Sequence, residues 1–179
     1  MPEIEIRPAN AADIPILVEL EHDYTSDYVW QMDIVNEEKL IDVRFKQIKL
    51  PRSVRVEYPR SPKELEKLWT ERDAVLTAVH EGVPVGYLCV SNHVAPITNW
   101  VTDLVVTRRM RRQGVGTALI LASQEWARQF NNYRLILEMQ PKNYPAISLA
   151  QKLGFDFCGY NDRYYANRDI ALFFVRSVR

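Results

Sequence analysis

Two glycines and two arginines lie close together in residues 111–116, which read RRQGVG. Glycine lets the backbone approach a bound anion because no Cβ atom stands in the way. The apolar pattern that follows predicts a helix, whose first turn offers unpaired N–H groups and the positive end of its dipole. The spacing of Gly114 and Gly116 therefore indicates a phosphate site. Two spaced glycines alone leave open an ordinary turn surrounded by solvated arginines.

Two common nucleotide-binding loops do not fit this motif. A Walker A loop needs Lys and then Ser or Thr after its last glycine, and neither follows here. A dinucleotide-binding loop needs three glycines directly after a first strand. Arg108 and Arg109 add positive charge just before the motif, in a chain whose formal net charge is zero. The pattern thus favours a local backbone cradle for phosphate.

The elements on either side of the motif suit this chemistry. Residues 99–106 read as a strand, and residues 114–130 place apolar side chains at helical intervals. Residues 134–139 read as the next strand, and residues 145–153 as a short helix that Gly154 ends in a left-handed conformation. A strand, a loop, a helix and another strand therefore position the glycines.

The remaining elements decide the fold class. A helix opens at Asp13, and Glu81-Gly82 marks a hairpin turn. Further strands are predicted at residues 4–9, 74–80, 84–91, 155–160 and 170–178. Strands and helices interleave, but hairpins dominate the first half. This order predicts a mixed-sheet α/β or α+β sandwich, rather than a doubly wound parallel fold, in a single domain over residues 1–179.

The segment from residue 22 to residue 72 has the least regular pattern. Its first part is polar and aromatic, and its later parts change period twice. It is predicted to contain a loop at residues 22–28, a helix at 37–50, an edge strand at 52–59 and a short helix at 61–69.

Composition excludes several classes of protein. The chain has 179 residues, with 23 Lys and Arg against 23 Asp and Glu and 47% hydrophobic residues, which excludes disorder. A pI of 6.8 argues against a nucleic-acid binder that relies on bulk charge. No apolar run reaches the roughly 20 residues of a membrane span, and the N-terminus does not read as a signal peptide. Two cysteines exclude a disulfide scaffold, and the three histidines lack metal-ligand spacing, so we expect a cytoplasmic protein without a metal.

These residues resemble a known family. Residues 111–116 resemble the acyl-coenzyme A pyrophosphate loop of the GNAT superfamily of N-acetyltransferases. The strand end Leu104-Val105-Val106 is similar to the family's bulged strand. A second signature is similar to Asn143-x-x-Ala146-Ile147 with Lys152-Leu153-Gly154-Phe155. The two signatures have the family's spacing, and the resemblance covers residues 75–178.

A narrower resemblance is to streptothricin acetyltransferases. It rests on Asp103, Trp126-Ala127, Leu137-Glu138-x-Gln140-x-x-Asn143 and the aromatic residues 159–165. The first 70 residues do not contribute to it.

The family resemblance implies a central, mostly antiparallel sheet of six to seven strands flanked by helices. It also implies acetyl-CoA as the co-substrate, with direct attack of an amine on the thioester in a ternary complex. A backbone N–H near the strand end would polarise the carbonyl group. The cofactor-binding residues implied are Leu104, Val105, Val106, Arg111, Arg112, Gln113, Gly114, Val115, Gly116, Thr117 and Asn143.

Proton transfer needs further residues. An amine with a pKa of about 10 is mostly protonated at neutral pH, so a base or a water chain must deprotonate it. Asp103 and Glu138, on neighbouring predicted strands, are the candidates, with solvated or Arg-paired carboxylates as the alternative. The family often protonates the thiolate from a Tyr at a position where this chain has Ala150. Tyr165 is the catalytic candidate in its place, although Tyr144, Tyr160, Tyr164 and water also remain open.

The resemblance leaves the acceptor open. We expect a primary amine of a small molecule, such as an antibiotic of the streptothricin kind, without a nucleic-acid or membrane partner and with a homodimer as the expected assembly. A protein N-terminus or lysine is the second hypothesis. A catalytically silent acyl-CoA-binding module is the third, because Ala150 cannot donate a proton.

Overall fold

Nine strands form the framework in the computed structural model, which describes residues 2–178. They are β1 (Glu5–Pro8), β2 (Tyr24–Glu37), β3 (Leu40–Val56), β4 (Ala74–His80), β5 (Val83–Ser91), β6 (Thr98–Val106), β7 (Arg134–Met139), β8 (Asp156–Asn161) and β9 (Ala171–Ser177). Seven of them form one sheet in the order β1-β4-β5-β6-β7-β9-β8, and β2 and β3 form a separate two-stranded sheet. Among the strands of residues 2–178, only β6 and β7 are parallel neighbours. The predicted mixed, mostly antiparallel sheet is confirmed.

Four α-helices cover the two faces of the large sheet. They are α1 (Ile14–Val18), α2 (Pro62–Leu68), α3 (Val115–Gln129) and α4 (Tyr144–Lys152). Side chains of α3 and α4 pack into the larger apolar core with Leu88, Leu135 and Leu137. Side chains of α1 and α2 pack with Tyr87 and Val105 on the opposite face. No helix among the described residues is long and apolar enough to cross a membrane.

The centre of the sheet is split between β6 and β7. The two strands pair only from Thr98 and Arg134 to Val101 and Leu137. A bulge at Thr102 shifts the register of β6 against β5, because Cys89 pairs with Asp103 whereas Val90 pairs with Val101. Bulges bend a strand and increase its local twist. In the part of the chain that the structure describes, no strand pairs with the β7 side of β6 beyond Val101.

The sequence prediction for residues 22–50 was wrong. The predicted loop at 22–28 and the predicted helix at 37–50 lie in one long hairpin of β2 and β3. The predicted edge strand at 52–59 is the end of β3, which stops at Val56. The alternation Ile41-Asp-Val-Arg-Phe-Lys46 has a period of two, which is the period of a strand and not of a helix.

The middle of this hairpin packs on β8 and on the segment before α4. The ring of Phe45 lies 5.5 Å from that of Phe157 and 5.3 Å from that of Tyr160, on β8. The backbone N–H of Trp30 donates to the carbonyl of Pro141, just before α4, at 3.0 Å. The residues that follow β3 reach the split through their own contacts, because Tyr58 donates to Asp103 and Arg60 donates to the Thr102 carbonyl.

Candidate functional site

The glycine loop leads directly from the split strand into a helix. A short 3₁₀ turn, Arg108–Met110, follows β6, and α3 begins at Val115. Gly114 precedes the helix with φ +90°, a left-handed conformation that favours glycine. No side chain caps α3, and its first intrahelical bond runs from Ala118 N–H to the Gly114 carbonyl at 3.0 Å. The N–H groups of the first turn are therefore available to an anion.

The arginines of this loop have different roles. Arg111 donates to the Val106 carbonyl at 2.8 Å and to the carbonyl of Glu21, which ties the loop to the end of β6. Burial lowers the pKa of Arg111 from its ordinary value. Arg112 is exposed and has φ +65°, which is uncommon outside glycine. The structure thus gives Arg111 a structural partner and leaves Arg112 free to face an anion.

Gly116 lies in the first turn of α3, and Asn143 lies at the start of α4. A Cβ atom on Gly116 would lie 3.1 Å from the Leu149 Cδ2, so the glycine allows the two helices to approach closely. Asn143 caps α4, because its Oδ1 accepts from the Ala146 N–H at 3.2 Å. Its amide nitrogen has no partner in residues 2–178. Asn143 therefore has a structural bond on one atom and a free donor on the other.

A narrow cleft lies at the split between β6 and β7. Its walls come from both faces of the sheet. From the face of α3 and α4 they include Leu104, Ile120, Asn143 and Ala146; from the opposite face they include Tyr58, Arg60, Glu138 and Tyr165. A second, smaller cavity adjoins it, shares Tyr58 and Arg60 with it and is lined by Asp103. Residues from both faces of the sheet therefore line a cleft at the split.

The two predicted carboxylates lie near one another but in different surroundings. Glu138 accepts hydrogen bonds from Arg60, from the indole N–H of Trp100 and, at 2.8 Å, from the hydroxyl of Tyr164. Asp103 accepts from the hydroxyl of Tyr58 at 2.7 Å and from that of Thr102 at 2.9 Å. Both are buried. Glu138 thus accepts a hydrogen bond from a cation, whereas both hydrogen-bond donors of Asp103 are neutral hydroxyls.

Arg60, like Tyr58 close by, is a site residue that the sequence reasoning missed. It lies in the connection between β3 and α2 and donates to the Thr102 carbonyl at 2.8 Å. Its guanidinium is 3.8 Å from Asp103 and 5.1 Å from the centre of the Tyr165 ring. Burial lowers its pKa, but Asp103 and Glu138 raise it by more, so the pKa lies above its ordinary value. Nothing local in Pro59-Arg60-Ser61 indicates this role.

Two neighbouring tyrosines lie at this site. Tyr165 is buried and lines the cleft, and its hydroxyl has no hydrogen-bond partner in the described chain. Burial, and then the charge of Glu138, raise its pKa above the ordinary value, so the phenol stays protonated at neutral pH. The same two causes raise the pKa of Tyr164 to about 12. Ala150 is fully buried in the core.

A buried histidine adjoins the second cavity and gives the fold a pH dependence. His22 Nδ1 donates to the Leu20 carbonyl at 2.6 Å, and Nε2 accepts from the Tyr87 hydroxyl at 3.0 Å. Burial lowers the pKa of His22. Between that lowered pKa and the unfolded value of about 6.5, the unfolded chain binds more protons, so stability rises with pH.

We therefore expect the free energy of unfolding to fall as the pH drops below about 6.5, by at most about 1.4 kcal/mol per pH unit from this group. Urea unfolding of the His22→Gln variant at several pH values should give a shallower slope. The control is His93→Gln, because the His93 side chain is 87% exposed. Equal slopes in the wild type and His22→Gln would contradict the assignment.

Comparisons with known proteins agree with this architecture. Nourseothricin acetyltransferase superimposes with a TM-score of 0.81 at 22% identity, covering 98% of this chain and 99% of that one. A Bacillus anthracis str. Ames protein, assigned as a streptothricin acetyltransferase and solved with acetyl coenzyme A, gives a TM-score of 0.77 at 18% identity, with coverages of 98% and 99%. At these identities the likeness shows a shared fold.

Curated relatives match a shorter region. The N-alpha-acetyltransferase of Sulfurisphaera tokodaii is 38% identical over 72 residues, which are 40% of this chain and 43% of that protein. The N-alpha-acetyltransferase of Saccharolobus solfataricus is 34% identical over 79 residues, or 44% and 47%. The chain thus matches less than half the length of these relatives.

A family model covers more of the sequence. Residues 42–155 match the acetyltransferase (GNAT) family, and this range includes the split strands, the glycine loop, both carboxylates and α4. The match spans more than half of the chain. The family resemblance found in the sequence motifs is therefore confirmed, and the chain belongs to the acetyltransferase (GNAT) family.

Proposed function

We propose that this protein is an acetyl-CoA-dependent N-acetyltransferase that acts on a primary amine of a small molecule. The observation that carries the proposal is the cleft at the β6–β7 split. Its walls include Asn143 and Ala146 on the face of α3 and α4 and Arg60 and Glu138 on the other face, with Asp103 in the adjoining cavity. Such a cleft suits a reaction in which two substrates approach from opposite sides of a sheet.

The residues on the α3 side fit the co-substrate. The left-handed Gly114 and the uncapped first turn of α3 form a cradle for a pyrophosphate, to which Arg112 to Thr117 would contribute backbone N–H groups. The main chain of Leu104 and the N–H of Val106 lie on the unpaired part of β6, where an extended pantetheine arm would bind, while the Val106 carbonyl already accepts from Arg111. Thr107 N–H donates to Val85 on β5, so Val105, two residues earlier and paired with Tyr87, also faces β5, whereas Val106 N–H faces the split. Val106 N–H and Asn143 Nδ2 are therefore the donors proposed near the reactive end. Bound acetyl-CoA supplies an acetyl group activated as a thioester.

The opposite end of the cleft would handle the proton of the amine. Tyr58 borders both cavities, and its hydroxyl donates to Asp103 Oδ1 at 2.7 Å. Tyr58 Oη would accept the proton of the amine while its own proton moves to Asp103. Glu138 already accepts from Arg60, Trp100 and Tyr164, so its carboxylate has less room for a further donor. Asp103 is therefore proposed as the base and Glu138 as the anchor of Arg60.

Tyr165 remains the proposed proton donor. Its free hydroxyl and raised pKa suit a group that stays protonated until a thiolate departs. Its position in the cleft also argues against a catalytically silent binding module, the hypothesis that Ala150 motivates.

The proposal of a small-molecule acceptor rests on how far the protein encloses the acceptor end of the cleft. Residues Tyr58 to Arg60 cover the acceptor end, and only 20% of the Arg60 side chain is exposed to solvent. A small amine fits such an end more readily than an extended peptide. A protein N-terminus stays the second candidate, because both curated relatives are N-alpha-acetyltransferases.

A panel of acceptors tests this proposal. The release of free thiol from acetyl-CoA would be measured with streptothricin, short primary amines and short peptides, and mass spectrometry would identify the acetylated product. We expect transfer to small amines. Transfer to peptides alone would replace the small-molecule proposal with the N-terminal one, and acetyl-CoA binding without transfer would favour the silent module.

Further predictions from the sequence concern the whole protein. We propose a single domain over residues 1–179, a cytoplasmic location, no nucleic-acid or membrane partner and a homodimer. Light scattering at several protein concentrations measures the last of these, and a mass of 20.9 kDa at all of them would contradict it.

A further inference from the structure

A cluster of three charged side chains, two carboxylates and one guanidinium, lies at the acceptor end of the cleft and in the adjoining cavity. Asp103 and Glu138 carry two negative charges, and Arg60 carries one positive charge within 3.8 Å of each. Glu64 and Arg72 line the adjoining cavity with opposite charges and add no net charge. His22 is neutral above its lowered pKa. The cluster of Asp103, Glu138 and Arg60 therefore has a net charge of minus one.

This residual charge is not shared equally between the two carboxylates. The side chain of Glu138 is fully buried and accepts from three donors, of which Arg60 is the closest charge. Asp103 accepts from two neutral hydroxyls, and the guanidinium stands 3.8 Å away. An ionised carboxylate has about four acceptor sites, so Asp103 can accept a further donor. The uncompensated negative charge thus lies on the Asp103 side.

Arg60 is held firmly enough to act as a permanent counter-ion. The Thr102 carbonyl, the Glu138 carboxylate and the Tyr165 ring contact its guanidinium from three directions. Only a fifth of its side chain is exposed, so solvent and salt screen its charge weakly. A second cation brought into the same cleft would meet this positive charge at short range.

We propose that Arg60 determines the charge selectivity of the acceptor site, which accepts one ammonium group beside Asp103 and disfavours a second cationic group within the cleft. This inference rests on the proposed function and adds a selection rule to it. The acceptor class is a primary amine whose other cationic groups, where present, stay outside the cleft.

The test compares two amines of equal chain length, 1-aminobutane and 1,4-diaminobutane, which differ by one ammonium group. The selectivity is kcat/KM for the diamine divided by kcat/KM for the monoamine. We expect Arg60→Gln to raise this ratio at least fivefold, because the net charge becomes minus two. Arg60→Lys keeps the charge and should stay within twofold of the wild type, even though it loses the two-pronged hydrogen bonding.

Arg55→Gln is the matched control for the loss of one positive charge, since Arg55 pairs with Asp23 and is 80% exposed. It should leave the ratio unchanged. A ratio that stays constant in Arg60→Gln, or that changes equally in Arg60→Lys, overturns the inference and leaves the proposed function intact.

Calorimetric titration of the same amines into the same variants gives the ratio of dissociation constants without any transfer. If the wild type binds these amines but transfers no acetyl group, the proposed function fails while the binding ratio still decides the inference. If neither amine binds the wild type, the inference fails.

Discussion

Substitution of Gly114 by valine will weaken the binding of acetyl-CoA at least 30-fold. Gly114 has φ +90°, and a residue with a Cβ in the left-handed region costs about 1–2 kcal/mol. A β-branched side chain there also stands where the backbone would approach the pyrophosphate. A 30-fold loss corresponds to about 2 kcal/mol of binding free energy. Calorimetric titration of acetyl-CoA into the variant measures it.

The chain contains a matched control for the backbone strain. Gly82 has φ +77° in the turn between β4 and β5, and a Cβ there would meet no atom within 4 Å. Gly82→Val should lower the thermal stability about as much as Gly114→Val but leave the affinity for acetyl-CoA unchanged. Equal affinities in both variants and the wild type would mean that the loop is an ordinary turn.

The parts of the fold that the sequence predicted are those with short-range signals. Strands β4 to β7 and helices α3 and α4 have a clear period, and their ends are marked by residues such as Gly154, whose φ of +75° is the predicted left-handed stop. The β2–β3 hairpin was missed although residues 41–46 alternate. Its strands extend over 14 and 17 residues and pair mainly with each other, so no buried sheet core reinforced the pattern.

The same distinction applies to the site. The glycine loop was recognised because left-handed backbone and an uncapped helix start are local properties of residues 111–116. The adjacency of Asp103 and Glu138 followed from neighbouring strands. Arg60 and Tyr58 could not be predicted, because they come from a connection that reaches the split through their own tertiary contacts. A lone arginine before Ser-Pro carries no sequence signal of two buried carboxylates 43 and 78 residues away.

Substitutions of the two carboxylates should have different effects, one on stability and the other on the reaction rate. Glu138→Gln removes the closest counter-ion of buried Arg60, and breaking a buried pair in this way costs about 3 kcal/mol or more of stability. We therefore expect Glu138→Gln to lower the free energy of unfolding strongly. Urea unfolding of this variant and of the wild type measures that loss.

Asp103→Asn should act on the rate instead. Its side chain keeps the shape of the carboxylate but cannot accept the proton that Tyr58 passes on, and loss of a general base slows a reaction by about 100-fold or more. The dissociation constant of acetyl-CoA should stay within twofold, because the glycine loop lies elsewhere. Tyr58→Phe should slow the reaction in the same way, since the relay needs the hydroxyl that donates to Asp103 at 2.7 Å. The assignment would be wrong if Asp103→Asn and Tyr58→Phe both retained the wild-type kcat at all pH values while a soluble Glu138→Gln variant did not. The base would then be Glu138. In that case Arg60 must move away from the Glu138 carboxylate during the reaction.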